Sequence, residues 1–270
     1  MVFSASISFL IGSREQGEIH WGNWLLLTLG GFLVTGCANG FNEIIEKDLD
    51  KLMKRTSDRP IPSGRMATGQ ALVLSLLMGI AGTLILLRLN LLTGILSVFS
   101  IFLYAILYTP LKQKSPIAVF VGAFPGALPP LIGYFAAFDS PQISWIPVIL
   151  FLIQFVWQFP HFWAIAWVLD DDYKRAGFRL LPTTRRDRTS ALINLVSTLV
   201  LIPVSLMPVF YEFGGYFVGG ISLVCGLVFA WFALKLYRSL ELADAKKVMY
   251  GSFLYLPIVQ LTLLFDFIVK

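Results

Sequence analysis

Charge is scarce in this chain. Of its 270 residues only 14% are Asp, Glu, Lys or Arg, against about a quarter in an ordinary soluble domain. Cysteine and histidine are scarcer still, with two of each. Cys37 and Cys225 form no CxxC pair and imply no disulfide framework, and both read as small buried packing residues inside spans. There is no Ser/Gly linker, no low-complexity run and no strong internal repeat, so residues 1–270 read as a single domain. The net charge of +5 includes no basic stripe of the kind that grips nucleic acid.

What is present is hydrophobic, 57% of the chain, and it comes in blocks long enough to cross a bilayer. A span needs roughly 20 apolar residues. The blocks predict eight full spans, over 21–41, 67–87, 91–110, 116–138, 143–169, 189–211, 214–237 and 249–269, and a stub from Met1 to Gly12. The stub lacks a basic n-region and a cleavage site, so it reads as a first span missing its opening turns and not as a signal peptide. Lys and Arg alternate in sidedness. All but Arg14, Arg88 and Lys270 of the 21 fall in the segments 42–66, 111–115, 170–188 and 235–248, which the positive-inside rule places in the cytoplasm. The net positive charge therefore reports topology.

Two acidic clusters lie on these loops. After span two, Asn39, Glu43, Glu46 and Asp50 fall within about 60° of one another on a continuing helix, with Asn42 at the edge of that face and Asp48 opposite. Oxygen ligands in such a row suit Mg²⁺, which takes one or two carboxylates plus substrate phosphates. Lys51, Lys54, Arg55, Arg59 and Arg65 follow at once and suit phosphate oxygens. A solvated helix end with i,i+4 pairs such as Glu43–Lys47 is the competing explanation. In span six, Gln154, Gln158 and His161 lead to Asp172 on one helical face, ahead of Lys174 and Arg175. Polar groups inside a membrane face a bundle interior or a cavity. A structural glutamine pair and a hydrogen-bonded core histidine are the alternatives there. Span five carries Pro125, Pro129 and Pro130 with Gly122 and Gly126, a pattern of either a kink or a cavity wall, with glycines that allow close helix approach.

Together these stretches resemble a known family. Asn42-x-x-x-Glu46-x-x-x-Asp50, then Met53-Lys-Arg-Thr56 and Arg59-Pro-Ile-Pro-Ser-Gly-Arg65, resembles the first motif of UbiA-type prenyltransferases, in the form of the heme-farnesylating branch. Tyr108-Thr-Pro-Leu-Lys112, Gly126-Ala-Leu-Pro-Pro-Leu-Ile-Gly133 and Trp157-Gln-Phe-Pro-His161-Phe-Trp, leading to Asp172-Tyr-x-x-Ala-Gly177, agree in order and spacing. The resemblance implies an all-α bundle of nine transmembrane helices in a bacterial inner membrane. It implies Mg²⁺-dependent transfer of a farnesyl group from farnesyl diphosphate to a vinyl group of heme B, giving heme O, with heme A synthase or oxidase-assembly proteins as partners.

By position, Asn42, Glu46 and Asp50 match the first metal motif and Asp172 belongs to the second. Val168 stands where the second motif usually has another Asp, which leaves its metal shell open among Asp170, Asp171 and Asp172. The chemistry adds Lys51, Arg55, Arg59, Lys112 and Arg175 on the diphosphate, and Tyr108, Gln154, Gln158 and His161 on the acceptor, with His161 either an iron ligand or only hydrogen-bonded. The rival readings are the same chemistry on a quinone precursor or chlorin, a transporter, and a structural subunit of a respiratory complex. A transporter would carry its ionisable residues near the midplane, whereas these acids sit at one membrane surface.

Overall fold

The computed structural model describes residues 1–141 and 144–269. The predicted span start at Ile143 and the terminal Lys270 lie outside them. Among the described residues every regular element is helical. In chain order they are α1 (Val2–Gln16), α2 (Trp21–Ile45), the short α3 (Lys47–Asp50), α4 (Thr68–Leu87), α5 (Leu91–Phe102), a π-helical segment (Leu103–Tyr108), α6 (Thr109–Leu111), α7 (Ala118–Phe135), α8 (Trp145–Val168), the short α9 (Asp170–Arg175), α10 (Arg188–Phe210), α11 (Tyr216–Ser239) and α12 (Leu242–Val269).

Eight segments are long and apolar enough to span a bilayer: α2, α4, α5 continued through α6, α7, α8, α10, α11 and α12. All eight predicted spans are there. Side chains such as Leu25, Phe32, Leu77, Ile80, Val224 and Leu254 point outward along these spans, and the bundle is an integral membrane protein. The stub over 1–12 extends to Gln16 and packs against α7 and α12. At 15 residues it is about 22 Å long, short of the roughly 30 Å hydrocarbon core. Its fit is close: a Cβ on Gly133 of α7 would lie 2.0 Å from the Ala5 carbonyl oxygen, so only glycine lets the two backbones meet there.

α7 is the innermost helix, with 72% of its apolar window buried. Its small residues let α1 and α8 approach, and Pro130 removes the backbone donor to the Gly126 carbonyl, which Gln154 of α8 then meets. The π segment has a comparable origin. Pro110 cannot donate to Ile106, and the widened turn lets the Thr109 N–H and Oγ1 both reach the Tyr104 carbonyl, the hydroxyl at 2.9 Å.

Candidate active site

Three connections meet at one end of the bundle: residues 46–66, 109–117 and 169–187. The Arg179 N–H donates to the Lys112 carbonyl (2.9 Å) and Gln113 Nε2 to the Ala176 carbonyl (3.3 Å). Asp172 receives the backbone N–H groups of Lys54 and Arg55, one on each carboxylate oxygen, both at 3.2 Å. The two acidic clusters, more than a hundred residues apart in the chain, are thereby tied together.

α2 ends at Ile45, and Glu46 (φ −96°, ψ 8°) separates it from α3. The ladder still continues across the break, from Glu46 N–H to the Asn42 carbonyl (2.9 Å) and from Asp50 N–H to the Glu46 carbonyl (2.8 Å). Asn42, Glu46 and Asp50 therefore keep the shared face and are buried, while Asp48 is exposed and pairs with Lys51. Glu43 has a different partner. It accepts from the Ile61 N–H at 3.1 Å and pins the following loop instead of pairing with Lys47.

Each of the three carboxylates meets a cation. Glu46 Oε1 is 2.6 Å from Lys112 Nζ, with both groups buried. Asp50 Oδ2 is 2.7 Å from Arg59 Nη1. Asp172 pairs with Arg175. Burial would raise the Asp172 carboxyl, but the Arg55 and Lys54 N–H groups and the Arg175 and Arg55 charges outweigh it and hold the group below the usual carboxylate range. Burial pulls the Lys112 amine below its ordinary value against the opposing effect of Glu46. That amine also lies 5.0 Å from the Tyr108 ring centroid and 5.4 Å from that of Phe178. The Arg55 side chain is exposed and makes no ion pair among the described residues.

The residues fit a hard cation. Asp50 has no exposed surface, and its Oδ1 has no hydrogen-bond partner among the described residues, a costly state unless a further ligand is expected there. Among the described residues no three His, Cys, Asp or Glu groups converge on one point, so Glu46, Asp50 and Asp172 are not gathered into a closed ligand cage.

The second cluster sorts by position. α8 stops at Leu169 (φ −100°, ψ 12°), which re-aims α9. Asp172 turns to the 54–55 backbone, Asp170 is buried beside Lys174 (2.7 Å) and Arg186 (3.5 Å), and Asp171 is exposed. On α8, Gln154 and Gln158 are buried and donate to the α7 carbonyls of Gly126 (2.7 Å) and Ala123 (3.0 Å). His161 Nδ1 lies 2.8 Å from Ser252 Oγ, and its ring stacks on Trp157 with centroids 4.3 Å apart.

Next to the polar end lies an apolar cavity of about 270 Å³ between α1, α2, α4, α5, α7 and α8. Asn39 and Tyr104 line it on the polar side, with Phe162, Pro125, Pro129 and Ile132 among its walls. Neither the glutamines nor His161 line it. The sequence reading missed Thr109, which accepts from Asn42 Nδ2 at 3.4 Å, and Gln260 of α12, whose Nε2 donates to Gln154 Oε1 at 3.0 Å. Gln260 carried a signal, being a lone amide in a membrane span. Thr109 sits within the Tyr108–Lys112 stretch, which marks the segment but not this hydroxyl.

Paired acidic and basic loops above an apolar chamber in a helical membrane bundle define a polytopic prenyltransferase, and the UbiA prenyltransferase family model matches residues 1–256. The chain belongs to that family. Within it, the protoheme IX farnesyltransferase of Cytophaga hutchinsonii is 46% identical over 268 residues, covering 98% of this chain and 92% of the relative. That of Christiangramia forsetii is 42% identical over 270 residues, covering 98% and 88%. Among solved structures, that of digeranylgeranylglyceryl phosphate synthase superposes with a TM-score of 0.83 at 21% identity, over 100% of this chain and 93% of the other. A UbiA homologue from Archaeoglobus fulgidus bound to GPP and Mg²⁺ gives 0.60 at 11%, over 96% of each chain. At those identities the structures speak for the fold.

Proposed function

We propose that this enzyme transfers the farnesyl group of farnesyl diphosphate to a vinyl group of heme B, with addition of water, to give heme O. The observation that carries the diphosphate chemistry is Asp50, a fully buried carboxylate with one oxygen on Arg59 and the other without a hydrogen-bond partner among the described residues, at the polar end of a bundle that holds an apolar cavity. The heme acceptor rests on the identity to protoheme IX farnesyltransferases and on the Met53–Thr56 and Trp157–His161 stretches.

Asn42, Glu46, Asp50 and Asp172 are the proposed metal-binding set. Mg²⁺ bound there would neutralise the diphosphate and make it a better leaving group. Lys51, Arg55, Arg59, Lys112 and Arg175 hold the phosphate oxygens, and Arg55, exposed and without an ion pair among the described residues, needs no rearrangement to do so. As the farnesyl C1–O bond breaks, the electron pair leaves with the diphosphate, where these cations stabilise it. The farnesyl chain lies in the cavity, whose aromatic and apolar walls exclude water from the allylic cation. The terminal vinyl carbon of heme attacks C1. Water adds to the cation left beside the porphyrin ring and loses a proton.

On the acceptor side stand Tyr108, His161, Gln158 and Gln154, the glutamines acting through the α7 wall they brace. Ser252 and Trp157 orient His161, with Nε2 as the nitrogen that meets the porphyrin or its iron. The protein is expected to form heme O, read by mass, from heme B, farnesyl diphosphate and Mg²⁺. Farnesylation of a quinone precursor supplied alongside heme B, with no heme O formed, would overturn the acceptor.

In the proposed orientation, in a bacterial inner membrane, the loops of the site face the cytoplasm. Cysteines introduced at Ser63 and Thr184 should react with an impermeant maleimide only from the cytoplasmic side, and one at Ser140 only from outside. Labelling of Ser63 and Thr184 from opposite sides would refute this topology.

A further inference from the structure

Pro125 and Pro129 of α7 face the cavity, whereas Ala123 and Gly126 face α8. Pro130 has no N–H, so the Gly126 carbonyl lacks its usual donor four residues on. Gln154 Nε2 takes that place at 2.7 Å. Gln158 Nε2 donates to the Ala123 carbonyl beside it, and a Cβ on Gly126 would come within 1.9 Å of Gln158 Oε1. Gln154 is in turn held by Gln260 of α12. All three amides are buried, with 2%, 2% and 4% of their surfaces exposed. An unmet carbonyl at this depth is costly, so the brace decides where the kinked wall sits.

We infer that Gln154, held by Gln260, is a positioning residue that sets the α7 wall of the cavity and thereby the length of prenyl chain the enzyme accepts. This rests on the reading of the cavity as the prenyl chamber. With the brace broken, α7 relaxes around its prolines and the chamber no longer discriminates against one further isoprene unit. Discrimination between substrates of different apolar size is worth roughly 10- to 200-fold in a hydrophobic pocket, so its loss is readable.

The test is a competition between farnesyl and geranylgeranyl diphosphate for heme B in the purified protein, with both products quantified by mass. Gln154→Met should lower the farnesyl preference by roughly tenfold, at the lower end of that range, and Gln260→Met should lower it by less. Pro130→Ala restores a backbone donor to the Gly126 carbonyl. The double variant Gln154→Met/Pro130→Ala should therefore regain most of the preference, a rescue that loss of bulk packing would not show.

An unchanged preference in folded Gln154→Met overturns the inference, and so does a double variant no better than the single one. Should Gln154→Met not fold, Gln260→Met decides the matter, and an unchanged preference there overturns it equally. A wild-type protein that consumes neither diphosphate would instead sink the proposed function.

Discussion

Asp50→Asn is expected to lower farnesyl transfer by at least about a hundredfold, the scale seen when a group that stabilises developing charge is removed. Asp50 places one carboxylate oxygen on the Arg59 guanidinium and leaves the other, Oδ1, buried without a hydrogen-bond partner among the described residues. The amide keeps the shape but offers a weaker ligand and a weaker partner. The fold should survive, because Arg59 is about one-third exposed and can turn to solvent. Glu46→Gln should behave alike in turnover. Both are read as heme O formed per minute alongside a gel-filtration profile in detergent. Wild-type rates in both variants would remove the metal assignment from this face.

Lys112→Met should be the most damaging single change to stability, by about 3–5 kcal/mol, because it strands the buried Glu46 carboxylate without its cation. The π segment and α6 present this lysine between Tyr108 and Phe178, where little water can replace it. Glu46→Gln in the same chain should recover most of the loss, since a neutral pair of similar volume has no charge to desolvate. Turnover should not recover, because a phosphate-binding cation and a carboxylate are then both gone. Thermal melting of the two single variants and the double in one detergent measures the coupling. A coupling below about 0.5 kcal/mol would mean that the pair is not the buried contact it is here.

The site was legible wherever helical periodicity holds. Asn42, Glu46 and Asp50 share a face because the ladder from residue 42 to residue 50 persists across the break at Glu46. Periodicity failed beyond Leu169, where the chain leaves α8 and Asp172 joins the 54–55 turn instead of continuing the glutamine stripe. It also left Gln154 and Gln158 undecided between a cavity and a neighbouring helix. Gln154 meets a carbonyl that Pro130 of another span leaves without its donor, Gln158 meets the Ala123 carbonyl beside it, and no pattern local to α8 encodes either contact.

Membrane residence, the number of long spans and the residue types at the polar end follow from the sequence by itself. Apolar block length is measured against a bilayer of constant thickness, and helical periodicity needs only the neighbouring turns. The pairings were decided by the tertiary structure: Lys112 with Glu46, Arg59 with Asp50, and Asp172 with two backbone N–H groups rather than with a side chain alone. So was the inward placing of α7, whose glycines and prolines are neutral in hydropathy but let α1 and α8 close on it. These contacts join residues from nine to more than a hundred positions apart. Their geometry is set by loop closure and helix packing, which act only once the bundle has assembled.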